Sequence, residues 1–299
     1  MNLHTKLVRY AGAGAVALLT VAFAGQGSAG AYGYAGGSAR IANRTLQVIG
    51  TNGDDDVVLT YPADGTAASV AFGARSVGGF DRRLFDSVVV VLGNGDDTFR
   101  VVDGAVGTDS PVTVFGGNGD DVLQGGNGKD TLYGGRGNDT IDGGLGVDTE
   151  YLGAGDDTAL WVPGEASDVV HGDSGTDTLD FAGGPGVDSM TLNATGKQAV
   201  FFRQPGQIEM DLDSVEAVTV RPLGGADRIT VNGTDAPESV DVRAVGDHVD
   251  VDGLTPRLDI IGAEQADQLQ ISTLGGRDSV TVHRGVSDLI TTSVDLGVQ

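Results

Sequence analysis

The 299-residue chain has no cysteine, so neither disulfides nor thiolate-bound zinc can staple its fold. Four histidines offer little to the softer metals. Aromatic residues are 5% of the chain, few for a surface that stacks on sugars or bases. Basic residues number 18 against 42 acidic ones, and the formal charge of −24 argues against nucleic acid or an anionic membrane as partner and for cations. The apolar stretch from Ala11 to Ala24 is interrupted by Gly12 and Gly14 and falls short of the roughly 20 residues a bilayer requires. Neither an HExxH nor a GxSxG pattern occurs, which removes two common hydrolase chemistries.

Glycine, by contrast, is abundant at 50 residues, and much of it is periodic. Residues Gly116 to Tyr151 form four consecutive nine-residue units: Gly116–Gln124, Gly125–Tyr133, Gly134–Asp142 and Gly143–Tyr151. Each has glycine at its first, second and fourth positions and aspartate at its sixth, and an aliphatic residue usually fills the eighth. Glycine permits positive φ and close backbone approach, so six residues can reverse the chain, and the last three then extend. The eighth position points inward and predicts a core column of Leu123, Leu132 and Ile141. One aliphatic per unit is a thin core, so the units must stack on one another. Stacking lines up Asp121, Asp130, Asp139 and Asp148 as columns of like charge, unfavourable unless a cation lies between them. Carboxylates and carbonyls are hard ligands that suit Ca2+ better than Mg2+.

These units resemble the haemolysin-type calcium-binding repeats of RTX proteins. The resemblance implies an all-β fold, a parallel β-roll in which two nonapeptides make one coil and calcium sits between loops two units apart. On that reading Asp121 and Asp139 share one side and Asp130 and Asp148 the other, and the ligand set extends to Asp157 and Asp177. Asp168 and Asp188 belong to it less securely, because Pro163, Ala166 and Pro185 disturb their loops. For Asp55, Asp97, Asp227, Asp267 and Asp278 a solvated turn is at least as good an explanation.

The expected organisation is a secretory signal peptide at 1–31, a degenerate β-repeat region at 32–115, the calcium-binding roll at 116–191 and a degenerate β-solenoid region at 192–299. Lys6 and Arg9 supply a basic start, and Ala22-Phe23-Ala24 or Ala29-Gly30-Ala31 a small-residue cleavage site. RTX proteins more often leave through a C-terminal signal, so the export route departs from the family's habit. In the flanks, paired apolar residues such as Val218 and Val220, Ile229 and Val231, Val240 and Val242, and Val249 and Val251 keep the period after the glycines fade. One continuous solenoid explains them, although regular turn spacing also suits small sandwiches.

Two further patterns invite catalytic or metal readings. Gly172-Asp173-Ser174-Gly175 with His171 looks like a serine-protease nucleophile segment, but it falls in register as the start of a repeat. His248, Asp250, Asp252, Gly253 and Asp259 imitate an EF-hand loop without its bidentate glutamate or its helices. The sequence therefore reads as a secreted, non-enzymatic protein whose roll folds on binding several Ca2+ ions, with a structural, adhesive or matrix role and a cell-surface or matrix polysaccharide or protein as partner. The alternative is a calcium-stabilised polysaccharide-active or carbohydrate-binding β-helix.

Overall fold

The computed structural model describes residues 5–12, 15–22, 32–34, 36–103 and 110–297. Two large sheets, of 13 and 14 strands among the described residues, face each other along the length of the chain. Each coil contributes one short strand to each sheet. In the middle, Val112–Asn118, Thr131–Arg136, Thr149–Ala154 and Val169–Ser174 stack in parallel in the 14-stranded sheet. Val122–Gly126, Thr140–Gly144, Thr158–Trp161 and Thr178–Ala182 do so in the 13-stranded sheet. Leu123 lies opposite Ile141, two units apart, as a roll of two nonapeptides per coil requires. The architecture is thus the stacked-repeat β-roll and solenoid that the spacing predicts.

Burial follows from the period of two. Leu123, Leu132 and Ile141 are fully buried, and their columns continue through Val114, Ala159, Val170 and Leu179 in a single apolar cluster that reaches from Ala39 to Ile290. Outside this core, ninth-position residues face outward and stack: Phe115, Tyr133, Tyr151 and His171 lie ring on ring at 4.7 Å, the spacing of adjacent strands. Where Trp161 and Phe181 lengthen their strands they turn inward instead, parallel at 4.1 Å.

The flanks keep the two sheets but fold back within them. Ser189–Ala194, Gln198–Gln204 and Ile208–Asp213 form an antiparallel meander, after which the last strand returns to pair with Val169–Ser174. The strands Ser239–Val245, His248–Asp252 and Arg257–Ile261 repeat this manoeuvre in the other sheet. Near the start, Asp56–Tyr61, Ala67–Phe72 and Arg75–Asp81 also form a meander, but here the first strand pairs with the stack and the last forms the edge of the sheet. The nine-residue spacings at Val240, Val249 and Leu258 are therefore hairpin spacings, since inward and outward residues alternate identically in parallel and antiparallel strands.

Within the predicted signal segment, Thr5–Gly12 and Ala15–Ala22 pair as a separate two-stranded sheet. Residues 23–31, with most of both cleavage candidates, lie outside the described residues. Among the described residues no helix is long and apolar enough to cross a membrane.

Candidate metal centre

The loops joining the sheets lie on two sides of the roll. Asp121, Asp139, Asp157 and Asp177 occupy one side and Asp130, Asp148 and Asp168 the other, and each of these carboxylates is buried. Burial comes from a ladder. The amide of Asp121 donates to Oδ1 of Asp139 at 2.8 Å, Asp139 to Asp157 at 2.7 Å, and Asp157 to Asp177 at 3.1 Å. On the opposite side Asp130 donates to Asp148 and Asp148 to Asp168, both at 2.7 Å. One oxygen of each carboxylate is thereby fixed by the coil before it.

The second oxygen is the chemically informative one. Oδ2 of Asp121, Asp139, Asp148, Asp157 and Asp177 is buried with no hydrogen-bond donor. Leaving such an oxygen unsatisfied costs on the order of 1–3 kcal/mol, more for a charged group. Nor is it isolated from other oxygens. A Cβ placed on Gly125 would lie 2.7 Å from Oδ2 of Asp130 and 2.5 Å from the Gly143 carbonyl oxygen one coil on. The same pairing recurs at Gly116 with Asp121 and the Gly134 carbonyl, and at Gly134 with Asp139 and the Leu152 carbonyl. Glycine at the first position keeps open a space that carboxylate and carbonyl oxygens both line.

Glycine at the second and fourth positions has a separate cause. Gly135 and Gly137 have φ of +123° and +122°, and a side chain there would collide with the carbonyls of Gly117 and Gly119 in the preceding coil. The close stacking of loops and their left-handed backbone thus arise together.

Burial also shifts protonation. With desolvation the largest cause, opposed in part by the ladder hydrogen bonds, Asp121 and Asp148 are pushed up to about 8 and Asp139, Asp168 and Asp177 to about 7. Asp157 rises to about 6 for the same reason. Hard oxygens, buried negative charge and a lined space fit Ca2+, which takes about six to eight oxygens and accepts carbonyls among them. Among the described residues no three acidic or histidine side chains converge as a metal cluster, so any such ion would draw on backbone carbonyls for much of its shell.

Asp188 differs from the rest. Its Oδ1 pairs with Arg203 at 2.9 Å and its Oδ2 accepts from the Gly184 amide at 2.6 Å, so a guanidinium stands beside it. Sequence reading did not anticipate this, because Arg203 reaches the loop only through the meander. The flanking acids also depart from expectation. Rather than sitting in solvated turns, Asp55, Asp97, Asp227 and Asp267 are buried, and Asp278 is half-buried; the carboxylates of Asp97, Asp227, Asp267 and Asp278 extend the ladders, and Asp55 joins through its amide. Asp55 donates to Asp97, Asp97 to Asp121, Asp188 to Asp227, Asp227 to Asp267, and Glu238 to Asp278. An acid two residues before an inward apolar residue, as in Asp55 before Val57, Asp97 before Phe99, Asp227 before Ile229 and Asp267 before Leu269, was the available signal.

The two decoy motifs resolve as structure. Ser174 lies at a strand end with its hydroxyl 3.4 Å from the Gly153 carbonyl, while His171 stacks on Tyr151 beside Asp213. His248, Asp250 and Asp252 lie on one antiparallel strand, flanked by no helix.

These features define a repeat solenoid whose glycine-rich loops carry buried, ladder-bonded aspartates. Residues 115–150, 130–159 and 164–188 match the model of the RTX calcium-binding nonapeptide repeat, in four copies, so this part of the chain carries that repeat. A comparison with curated proteins returned no match.

Proposed function

We propose that the chain is an exported calcium-binding repeat protein whose roll is completed by Ca2+ and which serves a structural or adhesive role outside the cell. The observation that supports it most is the repeated pairing of a buried, donor-less aspartate oxygen with the carbonyl of the next loop. Asp121, Asp130, Asp139, Asp148, Asp157 and Asp177 would hold the ions, with Asp168 closing the row on its side. Bound calcium supplies the positive charge that lets these carboxylates remain ionised in the folded state, so binding energy becomes folding energy. Extracellular modules bind in the range of about 10⁻⁴–10⁻³ M, which favours folding after export. The basic, then apolar, then small-residue order of 1–31 supports export.

Asp188 falls outside the ligand set in this reading, because Arg203 already neutralises it. The carbohydrate-binding alternative gains nothing from the outer aromatic column: Phe115, Tyr133, Tyr151 and His171 cover one another's faces, the surfaces a sugar would stack on. Equilibrium dialysis of the exported form against 45Ca2+ tests the proposal. Several ions per chain are expected, fewer for Asp139→Asn, and a protein that retains no calcium at millimolar concentration would overturn it.

A further inference from the structure

The fourth repeat breaks the pattern at its eighth position, where Glu150 stands in place of an aliphatic residue. Its strand places it between Leu132 and Val170 in the core column, and it is 2% exposed. A lone carboxylate in an apolar column is strongly unfavourable, so something must compensate it. The Gly143 amide donates to Oε1 at 2.8 Å, while Oε2 is buried without a donor.

The loop beside it is unusual in a matching way. At Gly116, Gly125 and Gly134 the space kept open by the first glycine is lined by the unit's own aspartate and by a carbonyl from the loop one coil on. At Gly143 that carbonyl is replaced: a Cβ there would lie 2.7 Å from Asp148 Oδ2 and 3.0 Å from Glu150 Oε1. The reason lies in the next loop on this side. Between Trp161 and Val169 it is two residues longer and carries Pro163, so the coil spans 20 residues rather than 18 and its backbone does not repeat the nonapeptide turn. Glu165 from this loop is buried, its Oε2 accepting from the Val162 amide at 2.7 Å, and it meets Asp142 side chain to side chain. Two carboxylates in contact must share a proton or a cation.

We propose that Glu150 is a calcium ligand, which together with Asp148 makes a site of different composition at the end of the regular repeats on this side, its carboxylate replacing the carbonyl that the irregular loop fails to supply. The proposal rests on the calcium reading of the repeats and adds to it a residue outside the nonapeptide signature. A second charged ligand raises affinity, because calcium sites are tuned by ligand charge. The site therefore fills first.

The test compares wild type, Glu150→Gln and Glu150→Leu by calorimetric Ca2+ titration of the whole chain, with circular dichroism at saturating calcium as the check on folding. Glu150→Gln keeps the acceptor for the Gly143 amide and removes the charge. Glu150→Leu restores the column as Leu132 has it and carries the test should the glutamine variant fail to fold. Loss of one ion from the stoichiometry, or weakening of the tightest binding phase by roughly tenfold or more in either folded variant, supports the proposal. Unchanged stoichiometry and affinity in folded Glu150→Leu overturns it while leaving the repeat sites standing. A wild type that binds no calcium overturns the underlying reading as well, which keeps the two failures distinct.

Discussion

Acidifying the metal-free protein from pH 8 to about pH 4.5 should increase its β structure, the reverse of ordinary acid denaturation. Burial pushes Asp121 and Asp148 up to about 8, Asp139, Asp168 and Asp177 up to about 7, and Asp157 up to about 6, against an ordinary 3.8. A carboxyl group whose folded value is raised stabilises the fold fully below its unfolded value, and that stability is lost as pH rises through the folded value. For Asp139, raised from 3.8 to about 7, the loss at pH 8 is on the order of 4 kcal/mol. The ladder members interact, so the individual losses do not add simply. Even two or three of them rival the roughly 5–15 kcal/mol by which whole domains are stable. Far-UV circular dichroism of calcium-stripped protein across this range, at constant ionic strength, is the assay. Gain of β signal on descending from pH 8 towards 5 is expected, and saturating calcium should abolish the dependence by holding the carboxylates ionised. A metal-free β signal that stays flat or falls over this interval would refute the reasoning, since it would mean that the ladder carboxylates ionise without penalty.

Two substitutions probe the geometry on which this account depends. Gly137→Ala puts a methyl group against the Gly119 carbonyl at φ of +122° and should destabilise the roll by on the order of 3 kcal/mol or more, read as a rise in the calcium concentration at half-folding; Gly186→Ala, where a Cβ meets nothing within 4 Å, should leave it nearly unchanged. Arg203→Met strands the buried carboxylate of Asp188 and should lower stability by about 3–5 kcal/mol in thermal unfolding at saturating calcium, whereas an unchanged melting temperature would show that the pair carries little.

The repeats were legible because three constraints act on each unit at once. The open space beside the aspartate fixes the first glycine and left-handed turns the later ones, the ladder fixes the aspartate, and the two-residue alternation fixes Leu123, Leu132 and Ile141 in the core. The meanders were not legible, since Val240 and Val242 alternate identically whether their neighbour is a new coil or a hairpin. Burial of Asp97 and Asp267 was not legible for a related reason: the glycine pattern before them is incomplete, kept only at Gly93 and Gly95 and at Gly262, and a turn aspartate with a free carboxylate has the same local sequence. Glu150 was visible as an exception at the eighth position, but its meaning depends on Gly143 and on the irregular loop containing Pro163. Pairing of Arg203 with Asp188 is a tertiary fact with no local signature.

Trp161 offers a direct reporter for the central claim. It is buried against Phe181, its Nε1 donates to the Ala166 carbonyl at 2.8 Å, and it lies between the ladder residues Asp157 and Asp168. Titration of the chelated exported form with Ca2+, following Trp161 emission and far-UV circular dichroism together and using Mg2+ as control, is the most direct measurement. Coincident, cooperative gains in β signal and a blue-shifted Trp161 emission with calcium alone are predicted. A protein at neutral pH already fully folded under chelation, with both signals indifferent to calcium, would contradict the claim that the ion completes the roll.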